Sequence, residues 1–205
     1  MQELKIDLSI IVPCHNLENY ISPLLISLNS QFFRQKVEIW FVLDDCTDRT
    51  YEVIESEIDK EKYIVHYIHC CVHSCGLARN LGLDACSGEY IWFIDGDDWI
   101  IGTSAIQTLL HYINQEKLGI LKMKYASNRF SQGWDMMVWQ YIFKRDTIGD
   151  IRFSDIQPSE DVEFMNKIFK DSRELKETVD EFYFYNYGRE GSNMQQFIAK
   201  GKIEP

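Results

Sequence analysis

Short apolar runs alternate with amphipathic stretches through the first half of the chain. The runs have the length and composition of strands, and stretches such as Ile21, Leu24, Leu25 and Leu28 repeat at helical spacing. Strands are predicted at residues 8–12, 37–43, 64–68 and 90–94, and helices around 21–28, from about 48, and at 76–86. This alternation predicts three βαβ units in an α/β fold, with a mainly parallel sheet flanked by helices.

The pattern is less regular in the second half of the chain. Apolar periodicity predicts a helix at 103–115 and a strand at 118–125, followed by a polar loop at 126–134. Further on, the sequence predicts a helix at 160–170, with Ser159 as its N-cap, and an extended aromatic stretch at 179–187. Since the chain has 205 residues and no linker-like segment, we expect a single domain over residues 1–205.

Composition and charge exclude several classes of protein. The net charge of −11 repels nucleic-acid phosphates, so nucleic acid is not expected as a partner. No apolar run reaches the roughly 18 residues of a membrane span, and the run at 8–13 is too short for a signal peptide core. The six cysteines show no disulfide framework spacing, which favours a reducing compartment. A cytoplasmic protein is therefore expected.

Polar clusters follow three of the predicted strands. In an open α/β sheet ligands bind beyond the carboxyl ends of the strands, so we expect these clusters to converge on one edge. The clusters are Pro13-Cys14-His15-Asn16, Asp44-Asp45-Cys46-Thr47-Asp48 and Asp95-Gly96-Asp97-Asp98.

The third cluster carries the sharpest chemical signal. Asp95 and Asp97 are two positions apart, so in an extended segment their side chains project to the same side. Two carboxylates about 4 Å apart repel by roughly 4 kcal/mol at an effective dielectric near 20, which favours a bound cation or a shared proton. Carboxylates combined with substrate phosphates are the usual ligands of Mg²⁺ or Mn²⁺. For the cluster taken alone, the alternative is an acidic turn that caps the next helix.

Five segments in register resemble the inverting glycosyltransferases of family 2. The resemblance covers roughly residues 8–192 and becomes specific only when all five segments are taken together. The segments are SIIVPCHN from Ser9, DDCTDRT from Asp44, GLARNLG from Gly76, GEYIWFIDGDD from Gly88 and the Glu160-Asp161 pair within SEDVEFMNKIF.

The resemblance implies a GT-A fold with a nucleotide-sugar-binding half at about 1–98 and an acceptor-binding half at about 99–205. Pro13, His15 and Asn16 match the first donor loop, although His15 replaces a more usual tyrosine. The second loop is one residue shorter than the family pattern. Either Asp44 or Asp45 therefore matches the carboxylate that accepts from the base N–H, and sequence position slightly favours Asp44.

The resemblance also assigns the catalytic groups. Asp97 matches the metal ligand, with Asp95 beside it in contact with the donor ribose or a metal-bound water, and Mn²⁺ or Mg²⁺ is the implied cofactor. Asp161 matches the catalytic base, for which the alternative is an acid placed at a helix N-terminus by the helix dipole. Arg79 matches a position lining the donor site and is equally suited to tethering Asp95. Arg189 matches an arginine that approaches the donor phosphates, or forms a surface ion pair.

The run from His69 to Cys75 superficially suggests zinc, but its spacing matches no standard closed zinc site, so partly buried thiols are the preferred interpretation. The implied substrates are a nucleotide-sugar donor, with UDP favoured, and a sugar or lipid-linked sugar acceptor. The resemblance points toward bacterial surface polysaccharide or glycolipid assembly, which would place the enzyme in the cytoplasm, either free or in peripheral contact with the inner face of the membrane. With little sequence after the Arg189 segment, any membrane anchor is expected to be missing or trimmed.

Three other hypotheses remain open at this point. A nucleotide-sugar-binding module without turnover would share the fold and the donor loops. A nucleotidyltransferase would carry a glycine-rich, basic loop after strand one, which Pro13-Cys14-His15-Asn16 is not. A glycoside hydrolase would use two facing carboxylates and no metal.

Overall fold

A computed structural model describes residues 5–128, 136–156, 159–171, 175–187, 189 and 192 of the chain. The described strands are β1 Leu8–Cys14, β2 Val37–Asp44, β3 Ile64–Cys70, β4 Tyr90–Phe93, β5 Trp99–Ile100, β6 Ile120–Ser127, β7 Tyr141–Lys144 and β8 Leu175–Tyr185. The described helices are α1 Ser22–Asn29, α2 Thr50–Glu57, α3 Cys75–Ala85, α4 Ala105–Gln115, α5 Arg145–Ile148 and α6 Glu160–Asp171, with a 3-10 turn at Val138–Gln140. None of these helices combines the length and apolar character that crossing a bilayer requires.

The first half of the sheet is parallel, as predicted. In the described part of the chain the strand order is β3-β2-β1-β4-β7-β6-β8-β5. Strand β1 pairs in parallel with both β2 and β4, and β2 pairs in parallel with β3. Helices α1, α2 and α3 connect these strands, so the three predicted βαβ units and the α/β fold class are confirmed.

The second half of the sheet is mixed rather than parallel throughout. Strand β7 runs antiparallel to β4 and β6, β8 runs parallel to β6, and β5 runs antiparallel to β8. The short elements β5, β7 and α5 were not predicted, because two to four residues carry no readable periodicity. The predicted loop at 126–134 was wrong at residues 126 and 127, which pair with β8, and its residues 129–134 lie outside the described part.

Both faces of the parallel sheet are covered. Leu8, Ile10 and Val12 of β1 belong to a core cluster with α1 and α4, whereas Ile11 belongs to a second cluster with α3 and α6. All four side chains are fully buried. Because both faces are covered, the ends of the strands are left for polar chemistry.

Helix α3 approaches the sheet closely at Gly82. A Cβ atom at this position would lie 2.5 Å from Cγ2 of Ile11 and 3.3 Å from Cγ2 of Val42, both of which are buried core side chains. The close approach fixes the height of α3 above β1 and β2. It therefore also fixes the position of Arg79, which lies one turn earlier on the same helix.

We expect Gly82→Ala to destabilise the fold, although alanine favours a helix by about 1 kcal/mol over glycine. Overpacking against Ile11 should cost about 1–3 kcal/mol, so the free energy of unfolding measured with urea should fall. Gln107→Ala, at an exposed position of α4, is the matched control and should change stability by less than about 0.5 kcal/mol. An unchanged or higher stability of Gly82→Ala would contradict the close packing of α3.

Candidate active site

An acidic turn follows β4 and lies against the loop after β1. The backbone N–H of Asp98 donates to the carbonyl of Asp95 at 3.1 Å, which closes the turn. Gly96 faces the first loop, since a Cβ there would lie 2.5 Å from Leu17 Cδ1 and 3.5 Å from the carbonyl oxygen of Pro13. The acidic turn and the loop after β1, two of the three predicted polar clusters, are therefore neighbours.

Arg79 joins the acidic turn to the start of α6. Its Nη2 donates to Asp95 Oδ1 and its Nη1 donates to Asp161 Oδ1, each at 2.7 Å. The Arg79 side chain is 3% exposed. The other oxygen of Asp161 accepts from the backbone N–H of Val138 at 3.1 Å. The structure thus places three predicted site residues from α3, the acidic turn and α6 in one cluster.

The charged groups in this cluster stabilise one another's ionised forms. Burial alone would lower the pKa of Arg79, but the carboxylates of Asp161 and Asp95 raise it well above its ordinary value. Burial raises the pKa of Asp161 above that of an ordinary aspartate, while Arg79 acts in the opposite direction. A carboxylate with a raised pKa binds a proton more strongly than one in water, which suits a general base.

Arg189 pairs with the second acid of the turn. Its Nε lies 2.5 Å from Asp97 Oδ2, and its guanidinium carbon lies 5.0 Å from the centre of the Tyr20 ring. Burial raises the pKa of Asp97, Arg189 opposes this, and the neighbouring Asp95 adds to it. The ion pair between Arg189 and Asp97 is half-buried, whereas the sequence-based alternative for Arg189 was an ion pair on the surface.

The first and second loops are joined by side-chain hydrogen bonds. His15 Nδ1 lies 2.7 Å from the carbonyl oxygen of Asp44, and Asn16 Oδ1 accepts from the backbone N–H of Thr47 at 2.8 Å. The contact to a carbonyl places the His15 proton on Nδ1. His15 is exposed, so its ring face is open to a ligand.

Asp44 and Asp45 occupy different environments. The Asp44 carboxylate is buried and accepts from the backbone N–H groups of Val72, His73 and Ser74 at 2.7, 3.0 and 3.1 Å. It therefore orders the segment in which Ser74 caps α3. The Asp45 side chain is 49% exposed, and its Oδ2 lies 3.7 Å from His73 Nδ1. Asp45 is the more accessible of the two carboxylates.

The acidic turn has the ligand chemistry of a partial cation site. Asp95 and Asp97 each use one carboxylate oxygen in the ion pairs to Arg79 and Arg189, which leaves a second oxygen on each that these ion pairs do not use. Carboxyl groups outnumber guanidinium groups in this cluster. The carboxyl groups are Asp95, Asp97, Asp98, Glu160 and Asp161, against Arg79 and Arg189. This oxygen-only, electron-rich set fits Mg²⁺ or Mn²⁺ completed by ligand phosphates.

Protein groups alone do not complete a metal site in the described part of the chain, where no three His, Cys, Asp or Glu side chains are arranged to hold a metal. This finding includes the run at 69–75. There, Cys71 is exposed, Cys70 and Cys75 are half-buried, and the Cys70 thiol lies 3.7 Å from Asp44 Oδ1.

Several residues of the cluster were not predicted from the sequence. Tyr183 and Asn186, at the end of β8, both hydrogen-bond to the acidic turn, and Val138 contributes only its backbone N–H to Asp161. Asp98 lies within the predicted cluster but was given no role. The acidic run is the signal that points to Asp98, whereas the contacts of β8 depend on long-range strand pairing.

A scan against family models matches residues 9–177 to the family described as "Glycosyl transferase family 2". An uncharacterized glycosyltransferase of Haemophilus influenzae is 27% identical over 215 residues, covering 96% of this chain and 80% of the relative. The poly(ribitol-phosphate) beta-N-acetylglucosaminyltransferase TarS of Staphylococcus aureus is 28% identical over 216 residues, covering 91% of this chain. This chain spans only 36% of the length of TarS.

Solved structures show the same fold. TarS 1–349 in complex with UDP-GlcNAc superposes with a TM-score of 0.84 at 23% identity, covering 93% of this chain and 61% of that one. The mannosyltransferase PcManGT of Pyrobaculum calidifontis, in complex with GDP-Man and Mn²⁺, gives a TM-score of 0.75 at 15% identity, covering 97% and 65% of the two chains. The predicted GT-A fold is therefore confirmed.

We expect Arg79→Met to lower the free energy of unfolding by about 3 kcal/mol or more, because it leaves Asp161 buried without its charged partner. The pKa of Asp161 should then rise further above its unfolded value, so the folded state binds the proton more tightly. The loss of stability should consequently be larger at about pH 8 than at about pH 5, as measured by urea unfolding.

The matched control for this substitution is Arg49→Met, whose ion pair with Glu18 is on the surface with the arginine side chain 80% exposed. It should cost no more than about 1 kcal/mol at either pH. Equal losses for the two variants would show that Arg79 does not hold buried charge.

Proposed function

This chain belongs to glycosyl transferase family 2, and on that premise we propose that it transfers a sugar from a nucleotide diphosphate sugar to an acceptor hydroxyl with inversion. The proposal extends to a divalent cation at the acidic turn and to Asp161 as the catalytic base. The donor is proposed to bind mainly to residues at about 1–98 and the acceptor mainly to residues at about 99–205.

One observation carries the proposal: Arg79 bridges Asp95 and Asp161 through two ion pairs of 2.7 Å. The bridge joins Asp161, the proposed base, to Asp95, an acid of the proposed cation site. A base and a leaving group in one cleft are what a single displacement requires, because the acceptor oxygen must lose its proton as the bond to the diphosphate breaks.

In the proposed reaction the acceptor oxygen attacks the anomeric carbon of the donor. Asp161 takes the hydroxyl proton, the new glycosidic bond forms, and the bond from the anomeric carbon to the diphosphate oxygen breaks. Arg79 keeps Asp161 ionised and oriented, and Val138 holds its second oxygen. Both Arg79 Nη atoms already contact carboxylates, so we assign it to positioning rather than to direct donor binding.

We propose UDP as the nucleotide of the donor, because TarS, which shares the fold, was solved with UDP-GlcNAc. Pro13, His15 and Asn16 form the proposed base-binding loop, and the open ring face of His15 suits stacking on a base. The greater exposure of Asp45 favours it over Asp44 as the carboxylate that contacts the nucleotide base. This reverses the order favoured by sequence position. Asp44 is assigned to ordering the segment before α3.

Asp97 and Asp95 would hold the cation, each through the carboxylate oxygen that its ion pair with arginine does not use. A bound divalent ion supplies charge neutralisation of the departing diphosphate. Support comes from the excess of carboxyl groups in the cluster and from PcManGT, which has the same fold and was solved with Mn²⁺. Arg189 lies beside Asp97, where its guanidinium suits the donor phosphates.

We expect Asp161→Asn to lower the rate of UDP release from UDP-sugars by at least about 100-fold, because the amide takes up no proton. The rate is measured with water or a sugar as acceptor. UDP binding measured by calorimetry should stay within about twofold of wild type. Asp150→Asn, at an exposed position, is the matched control and should keep full activity. Full activity of Asp161→Asn would remove this residue from the mechanism, whereas UDP binding by a wild type that never turns over would favour a binding module.

We also expect Mn²⁺-dependent donor binding in thermal unfolding with UDP-, GDP- and dTDP-sugars. At a concentration about 100-fold above Kd, a ligand adds about 2.7 kcal/mol to the free energy of unfolding. This corresponds to a rise of about 5 °C or more in Tm. The rise should be largest for UDP-sugars with Mn²⁺, and should shrink with a chelator or in Asp97→Asn. Equal rises with and without Mn²⁺ would contradict the proposed cation site.

A further inference from the structure

The Tyr183 hydroxyl lies between two residues of the acidic turn. It accepts from the backbone N–H of Asp95 at 3.1 Å and donates to Asp98 Oδ2 at 2.6 Å. Tyr183 and Asp98 are both fully buried. Bulk water therefore cannot replace either hydrogen bond, and the hydroxyl is a fixed link between strand β8 and the turn.

The second oxygen of Asp98 extends this link along the chain. Asp98 Oδ1 accepts from the backbone N–H of Asn186 at 2.8 Å, and Asn186 Nδ2 donates to the carbonyl oxygen of Asp97 at 3.2 Å. Tyr183 and Asn186 thus hold Asp95, Asp97 and Asp98 from one side. None of these hydrogen bonds uses the carboxylate of Asp95 or Asp97, so this link does not compete with a cation for either carboxylate.

The Tyr183 ring cannot easily turn away from the acidic turn. It stacks on Trp139 with the ring centres 4.6 Å apart and the planes 11° apart, and Trp139 follows Val138, which donates to Asp161. A phenylalanine would keep this stacking. Packing alone therefore accounts for the Tyr183 ring but not for its hydroxyl group. It also does not account for the fully buried carboxyl group of Asp98, because burying such a group is costly unless it is hydrogen-bonded.

We propose that Tyr183 and Asp98 are positioning residues that hold the turn of Asp95 and Asp97 in the shape that binds a divalent cation. The inference rests on the proposed function, since it concerns the cation site of that function. Groups that orient metal ligands through hydrogen bonds typically change metal affinity by about 10- to 100-fold when they are removed.

The test compares Tyr183→Phe with Tyr185→Phe in the full chain. Tyr185 lies on the same strand and also stacks on Trp139, at 5.2 Å, but no hydroxyl hydrogen bond of Tyr185 is seen among the described residues. Mn²⁺ binding in the presence of UDP is measured by electron paramagnetic resonance. UDP binding without a cation is measured by calorimetry, and folding by circular dichroism and urea unfolding.

We expect Tyr183→Phe to weaken Mn²⁺ binding by about 10- to 100-fold, with cation-free UDP binding and the circular dichroism spectrum unchanged. Tyr185→Phe should bind Mn²⁺ as wild type does. Asp98→Asn, with its amide oxygen facing Asn186, keeps an acceptor for Asn186 but places an amide N–H group at the Tyr183 hydroxyl. This variant should show the same loss of Mn²⁺ binding.

Wild-type Mn²⁺ affinity in Tyr183→Phe, or an equal loss in Tyr185→Phe, would overturn the positioning role and leave the proposed function intact. A loss of cation-free UDP binding that parallels the loss of Mn²⁺ binding would also overturn it, because it would indicate general unfolding. A wild-type chain that binds UDP but no Mn²⁺ would instead refute the proposed cation site, and the inference with it.

Discussion

The buried guanidinium of Arg79 imposes the main constraint on this structure. A charge that is 3% exposed is costly unless it is paired, and its two partners come from distant parts of the chain, the turn after β4 and the start of α6. Burial of these charges is therefore tolerated only because the fold brings α3, the acidic turn and α6 together. The close approach of α3 to β1 at Gly82 sets the height from which Arg79 reaches both acids.

The other end of the site is held by backbone rather than by charge pairs. Asp44 accepts from three successive backbone N–H groups, and left-handed conformations occur at Asn16, Asp45 and His73, which follow β1, β2 and β3. Such conformations are uncommon for residues other than glycine and need support from their surroundings. The hydrogen bonds of Asp44, His15 and Asn16 supply that support.

The sequence could predict the parts of the fold that depend on local pattern. The parallel units β1 to β4 were predicted because each strand and helix repeats at its own period, and family 2 membership confirms the expected glycosyltransferase class. Strand β7 is four residues long and pairs antiparallel with strands distant in sequence, and the β6–β8 pairing contains register shifts. No short pattern encodes such pairing, so the contacts of Tyr183 with the acidic turn could not be predicted, whereas short motifs single out Asp95, Asp97 and Asp161 as candidate site residues.

The position of the Asp161 carboxylate does not depend on the described side chains that follow α6. The carboxylate is fixed by Arg79 of α3 and by the backbone N–H of Val138, and among the described residues beyond α6 no side chain holds it. Side chains beyond α6 can therefore change without moving the Asp161 carboxylate, provided that α6 keeps its packing through Phe164 and Ile168. Function resides in sites placed on a shared fold, so under the proposed function this division would let one donor end serve different acceptors.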